Sequence, residues 1–128
     1  MCSSDLCVHN CGYGVDTDFF SPSDVDNGTS MILAAGTANR DYKSLITAVA
    51  ELDVEVRIAA DSAWYPVETN ASGLQLPQNV VLKSAGNYMG LRDLYSKCQF
   101  VVVPMLPAKF ACGFAVIAEA MEIGRAHV

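Results

Sequence analysis

Lysine and arginine never cluster in this sequence. Eight basic residues stand singly against fourteen acidic ones, giving a net charge of −6 over 128 residues. A nucleic-acid backbone needs a basic face, so no nucleic-acid partner is expected. The same scarcity argues against an anionic membrane surface. No apolar run approaches the ~20 residues of a membrane span, so no transmembrane segment is expected, and none of the chain reads as a signal peptide. There is no G-x-G-x-x-G and no P-loop, which removes the main support for dinucleotide or ATP binding. No Ser/His/Asp or Cys/His triad is readable. His9 is the only histidine before position 127, and it is expected in a surface turn.

Five cysteines are present: Cys2, Cys7, Cys11, Cys98 and Cys112. The number is odd and the spacings are not those of a zinc finger. Cys7, His9 and Cys11 lie close in sequence, but a closed site needs four ligands and the second pair is missing. The reading is reduced thiols in a cytoplasmic protein, with no metal. The sequons at Asn27 and Asn70 carry no meaning in that compartment.

The two ends resemble processing scars. Ile123-Gly124-Arg125-Ala126-His127-Val128 can be encoded by ATC GGA AGA GCA CAC GTC, a sequencing-library adapter. Cys2-Ser3-Ser4-Asp5-Leu6 can be encoded by the opposite adapter end, with Met1 read from a preceding GTG. The expectation is that residues 1–6 and 122–128 are adapter-derived and that Cys7 to Met121 is authentic, within a gene that continues beyond both ends. Resequencing the source DNA tests this; the same codons in continuous genomic context would refute it. Without Asp5, Glu122 and Arg125 the chain is still acidic.

About half of the residues are apolar and only 17% are charged, which suits an interior-rich domain. A chain of this length is one domain at most. Cys7 to Ser30 reads as an interdomain segment that ends in a loop rich in Ser, Pro, Asp, Asn and Gly. Met31 to Gly36 is a continuous apolar run, as in a strand buried on both faces. A helix is expected from about Arg40 to Leu52, with Asn39 as N-cap and Tyr42, Leu45, Ile46, Val49 and Leu52 on one face. Strands are expected at Val54–Ala60, Asn79–Lys83 and Phe100–Pro104. Ser62 to Gln78 reads as irregular. A short helix over Gly90–Lys97 presents Leu91, Leu94 and Tyr95. A last helix over Gly113–Met121 buries Phe114, Ile117, Ala118 and Met121. Strands alternating with helices predict an α/β fold: a Rossmann-like parallel sheet, covered by helices on both faces.

Ligands in such sheets sit at the carboxyl ends of the strands. Three loops are placed there. In Gly36-Thr37-Ala38-Asn39-Arg40, glycine lets backbone approach a ligand and Arg40 opens a helix whose dipole already favours an anion. This reads as a phosphate grip or, alternatively, as a solvated helix arginine. In Ala111-Cys112-Gly113-Phe114-Ala115, small residues at a helix start leave amides open to a diphosphate, or serve packing alone. Glu119, six residues after Gly113, is either a ribose acceptor or an exposed helix glutamate. Ala60-Asp61-Ser62 is a weaker candidate for touching a base or phosphate.

Four segments, in order, resemble the group 1 (family 4) glycosyltransferases of the GT-B fold. Gly14 to Pro22, GVDTDFFSP, is similar to that family's GVDTxxFxP entry into the C-terminal domain. Gly36 to Leu45, with RDYKSL, is similar to its phosphate loop. Leu91-Arg92-Asp93-Leu94-Tyr95 followed by Phe100-Val101-Val102-Val103-Pro104 is similar to LxxLYxxADVFVxPS. Gly113 to Met121, GFAVIAEAM, is similar to GFGxxxLEAM. The resemblance implies a partial donor-binding domain over residues 31–121 that takes a nucleotide-activated sugar of UDP or GDP type. It implies retaining transfer without a metal or other cofactor, and an acceptor held by an N-terminal domain this chain lacks. The chain alone is expected to be inactive and to expose apolar surface where missing elements would pack.

By the same resemblance, Arg40 stands at the family's phosphate-binding lysine. Backbone at Cys112, Gly113 and Phe114 adds hydrogen bonds to the diphosphate. Glu119 matches the second glutamate of a pair and holds the ribose, and Ser84 to Asn87 lie where the base binds. Two positions depart from the pattern: Thr37 replaces a phosphate-binding arginine, and Ala111 replaces the first glutamate, which faces the sugar. The competing readings are another GT-B enzyme, such as a sugar-nucleotide epimerase or phosphorylase, and a non-enzymatic α/β regulatory module. A receiver needs an acidic cluster, which Asp61 lacks. A flavodoxin-like carrier needs a Ser/Thr-rich phosphate loop that is not evident. In a longer protein, peripheral attachment to a membrane is open.

Overall fold

The structure, a computed structural model, describes residue 9 and residues 12–22, 29–60 and 73–125. The expectations for residues 1–6, Cys2, Cys7, Cys11, the sequons at Asn27 and Asn70, and the Asp61-Ser62 loop lie outside them. Among the described residues four strands and three helices follow in the order β1 (Ile32–Ala35), α1 (Tyr42–Val49), β2 (Val56–Ala59), β3 (Val80–Leu82), α2 (Tyr88–Lys97), β4 (Phe100–Val102) and α3 (Phe114–Glu122). All strand pairs are parallel, in the order β3-β2-β1-β4. The predicted α/β, Rossmann-like parallel sheet is therefore present.

β1 explains the continuous apolar run of its segment. It has a neighbour on each side and its successive side chains point to opposite faces, both covered. Ile32 and Ala34 join Val56, Ile58 and Val80 under α1, whose Tyr42, Leu45, Ile46 and Val49 are buried. Leu33 and Ala35 face the other way, against Tyr95 and Cys98 at α2 and Val116 and Ala120 of α3. Helices thus cover both faces. Asn79 Nδ2 donates to the carbonyls of Val49 (2.8 Å) and Val54 (3.0 Å), tying the end of α1 to the approaches of β2 and β3.

The Gly14–Pro22 segment packs onto the α2 side. Asp16 closes a turn by accepting from the amide of Phe19 (2.9 Å). Phe20 is buried, with its ring 6.0 Å from that of Tyr95. The guanidinium of Arg92 lies 4.9 Å from the centre of the Phe19 ring, within cation–π range.

Three expectations need correction. α1 begins later, at Tyr42, and its N-cap is Asp41, whose carboxylate accepts from the Ser44 amide (3.1 Å). Asn39 is instead a left-handed turn residue with φ 56°, a conformation asparagine tolerates. Leu52 falls beyond the helix and is 52% exposed. The third correction concerns α3. Its buried stripe is Val116, Glu119 and Ala120, continued by Ile123, while Phe114, Ile117 and Met121 face solvent. Val116, Ala120 and Ile123 repeat at helical spacing as well as Phe114, Ile117 and Met121, so apolar periodicity alone does not choose between the two sets. Val116 and Ala120 pack against the sheet with Leu33 and Ala35, and Ile123 extends the same cluster. Beyond α3 the chain returns to the sheet. Ile123 is buried, and the Arg125 carbonyl accepts from the Val101 amide (3.0 Å) at the outer edge of β4.

Candidate functional site

Strand order sets the position of the site. β1 and β4 are neighbours, yet α1 leaves β1 over one face and α3 follows β4 over the other. The loops after these two strands therefore meet at the topological switch point of the sheet. The first loop holds Gly36 to Asp41 and the second runs from Val103 to Gly113.

The two loops are laced together. Arg40 forms an antiparallel bridge with Met105. The Asp41 amide donates to Pro104 O (3.0 Å) and the Leu106 amide to Asn39 O (3.1 Å). Asn39 Nδ2 donates to Leu106 O (2.6 Å) and sits 3.9 Å from Cys112 Sγ. The hydroxyl of Tyr42 donates to the Gly36 carbonyl.

Arg40 lies inside this lacing and is only 3% exposed. Its Nε donates to Ala35 O (3.0 Å) and its Nη1 to Ala38 O (2.7 Å), with Met105 Sδ 3.0 Å from the same nitrogen. Carbonyl dipoles at the end of β1 thus stabilise a buried cation. The glycines explain how it fits. A Cβ on Gly36 would stand 2.6 Å from Nη2, and one on Gly113 would stand 3.6 Å from Nη1. Both glycines have positive φ, 95° and 84°. Arg40 is therefore wedged between the two glycines expected to approach a ligand. This corrects the reading of Arg40 as the first residue of a helix or as a solvated helix arginine. It precedes the capping residue and is buried.

Gly113 is the N-cap of α3 and supplies no side-chain cap. The first amides of that helix are therefore not met by a capping side chain. Cys112 is half-buried beside them and carries a free thiol, while Phe114 is 54% exposed. Thr37 is half-buried in the first loop.

Glu119 lies one and a half turns into α3 and is 8% exposed, which corrects the reading of an exposed helix glutamate. Its Oε2 accepts a 2.8 Å hydrogen bond from the hydroxyl of Tyr95, which is fully buried. Burial pushes the Glu119 carboxyl above the usual glutamate value, partly offset by that hydrogen bond. Burial also pushes the Tyr95 phenol up, and the negative charge on Glu119 and its hydrogen bond add to the shift. Sequence periodicity places Tyr95 only in an apolar stripe. The available signal was its hydroxyl, which needs a partner once buried.

Ser84 is not part of this cluster. It is exposed after β3, where its hydroxyl accepts from the Gly86 amide (2.8 Å). β2 lies between β3 and β1, so Ser84 stands about 10 Å along the same carboxyl edge. At the opposite end of the strands, an open cleft of about 430 Å³ is lined by Ser30, Asp53, Val54, Glu55, Gln78, Asn79 and Val81. It carries two carboxylates and no base, which disfavours a phosphate. Among the described residues no group of three or more His, Cys, Asp or Glu side chains could hold a metal ion, and no helix is long and apolar enough to cross a membrane. No protein-family model matches the chain, and no curated protein matches its sequence.

Proposed function

We propose that this chain is the donor-binding part of a glycosyltransferase of the group 1 (family 4) kind, and that it takes the diphosphate of a nucleotide-activated sugar at the loops after β1 and β4. The observation that carries the proposal is Arg40, buried between Gly36 and Gly113 at the topological switch point. A buried cation beneath two glycine backbones, beside an uncapped helix start, offers positive potential and close backbone approach together. In this reading the amides at Cys112, Gly113 and Phe114 bind the diphosphate. Arg40 shapes the loop and neutralises charge from beneath it. When the bond from the anomeric carbon to the diphosphate breaks, negative charge gathers on the leaving oxygens, where a fixed cation stabilises it most. Glu119 accepts from the ribose hydroxyls, and the base extends along the carboxyl edge toward Ser84. The acceptor is the task of a further domain. Free thiols at Cys98 and Cys112 accord with a cytoplasmic setting.

Calorimetric titration with UDP, GDP and the two parent nucleosides tests the proposal. One diphosphate is expected to bind saturably, at least about tenfold tighter than its nucleoside, as charge-assisted contacts require. A folded chain that binds neither diphosphate would contradict it and favour a regulatory module without this ligand.

A further inference from the structure

Glu119 is a buried carboxylate without a basic partner among the described ion pairs. Its hydrogen bond comes from a neutral phenol, and one such bond does not offset the desolvation of a carboxylate. A hydrophobic residue would pack better at this position, so the carboxylate points to a ligand rather than to the core.

The phenol that meets it is held rigidly. The Tyr95 ring has no exposed surface. Phe20 stands against it edge-on at 6.0 Å, and the Cys98 thiol donates to its carbonyl (3.2 Å). The hydroxyl therefore has a fixed position, whereas a glutamate has three rotatable bonds to order. Fixing Oε2 on Tyr95 removes much of that freedom. The remaining oxygen, Oε1, is left to accept elsewhere, on the helix that begins at Gly113 and the loop after β4.

Resting on the donor-site reading above, we propose that Tyr95 is the positioning residue of the ribose subsite. It holds Glu119 so that Oε1 accepts from the ribose hydroxyls, and this pair makes the site select ribonucleotides over 2′-deoxyribonucleotides. A site built to pair with a hydroxyl rejects the analogue that lacks it, because its own polar group is then left unpaired.

The test compares UDP with 2′-deoxy-UDP, and GDP with 2′-deoxy-GDP, in the wild type, Tyr95→Phe and Glu119→Gln, each first checked for a cooperative melt. The wild type should prefer the ribose form by at least about tenfold. Tyr95→Phe should bring that ratio toward one while leaving 2′-deoxynucleotide affinity within about twofold. A merely structural tyrosine would weaken both forms alike. Glu119→Gln, which places an amide where the acceptor stood, should also lose the preference, and it carries the test if Tyr95→Phe does not fold. A wild type that binds both forms equally, or a preference that survives in either variant, overturns the inference and leaves the donor site standing. A wild type that binds no nucleotide overturns both.

Discussion

Nη2 of Arg40 lies 2.6 Å from the point where a Cβ on Gly36 would stand. Gly36→Ala therefore meets two penalties at once, a φ of 95° and a clash with a buried guanidinium that is itself held by carbonyls. The expected loss is about 2–4 kcal/mol. Gly86 also has positive φ, 79°, with open space around it. Gly86→Ala should cost only about 1 kcal/mol. Denaturant melts of the two variants check this; equal losses would show that Arg40 does not occupy the space beneath Gly36.

Arg40→Lys is not a conservative change at this position. Nε and Nη1 reach two different carbonyls, and an ammonium cannot reproduce that fork. Arg40→Lys and Arg40→Met should both lose about 2–4 kcal/mol, because buried carbonyls are left without donors. Hydrogen exchange should report the change first at the amides of Asp41 and Leu106, which lace the two loops.

The two faces of α3 give a further prediction. Val116→Ala removes buried apolar volume beside Leu33 and should cost about 1–2 kcal/mol. Met121→Gln, on the exposed stripe, should stay within about 0.5 kcal/mol. If the larger loss came from Met121, the helix would be rotated from the orientation described.

How the sequence and structure agree follows from these same residues. The sheet was legible because β1 and β4 are apolar runs without alternation, and a parallel strand covered on both faces has no polar side to show. The convergence of Gly36 and Gly113 was legible as two loops at strand ends, once strands and helices alternated. The burial of Arg40 was not, because it depends on Met105 and Pro104, some 65 residues away. The α3 face was misread because Val116, Ala120 and Ile123 repeat as well as Phe114, Ile117 and Met121, and a glutamate among the first set argues for the second. Asn39 is a good capping residue type, which is what the sequence offers for the start of α1. Asp41, two positions later, is an equally good type and has the geometry.

Glu119 makes stability depend on pH. Its carboxyl lies above the ordinary glutamate value in the folded chain, chiefly through burial. The folded state thus holds its proton to higher pH than the unfolded state does. The stabilisation from this group is complete below the unfolded value near 4.5, and it is lost as pH rises through the raised folded value. Glu119→Gln removes the charge and keeps an acceptor for Tyr95. The variant should match the wild type at low pH and exceed it at neutral pH. Thermal melts from pH 4 to pH 8 check the sign; a variant that is less stable than the wild type at neutral pH would contradict it.

In the proposed function, the loops after β1 and β4 bind a nucleoside diphosphate. The most direct test is an amide nitrogen–proton spectrum recorded during titration with UDP or GDP. Saturable shifts are expected at Gly36, Thr37, Gly113 and Phe114, around buried Arg40. Shifts confined to the cleft at the other end of the strands, near Asp53, Glu55 and Gln78, or no saturable shift with either nucleotide, would contradict it.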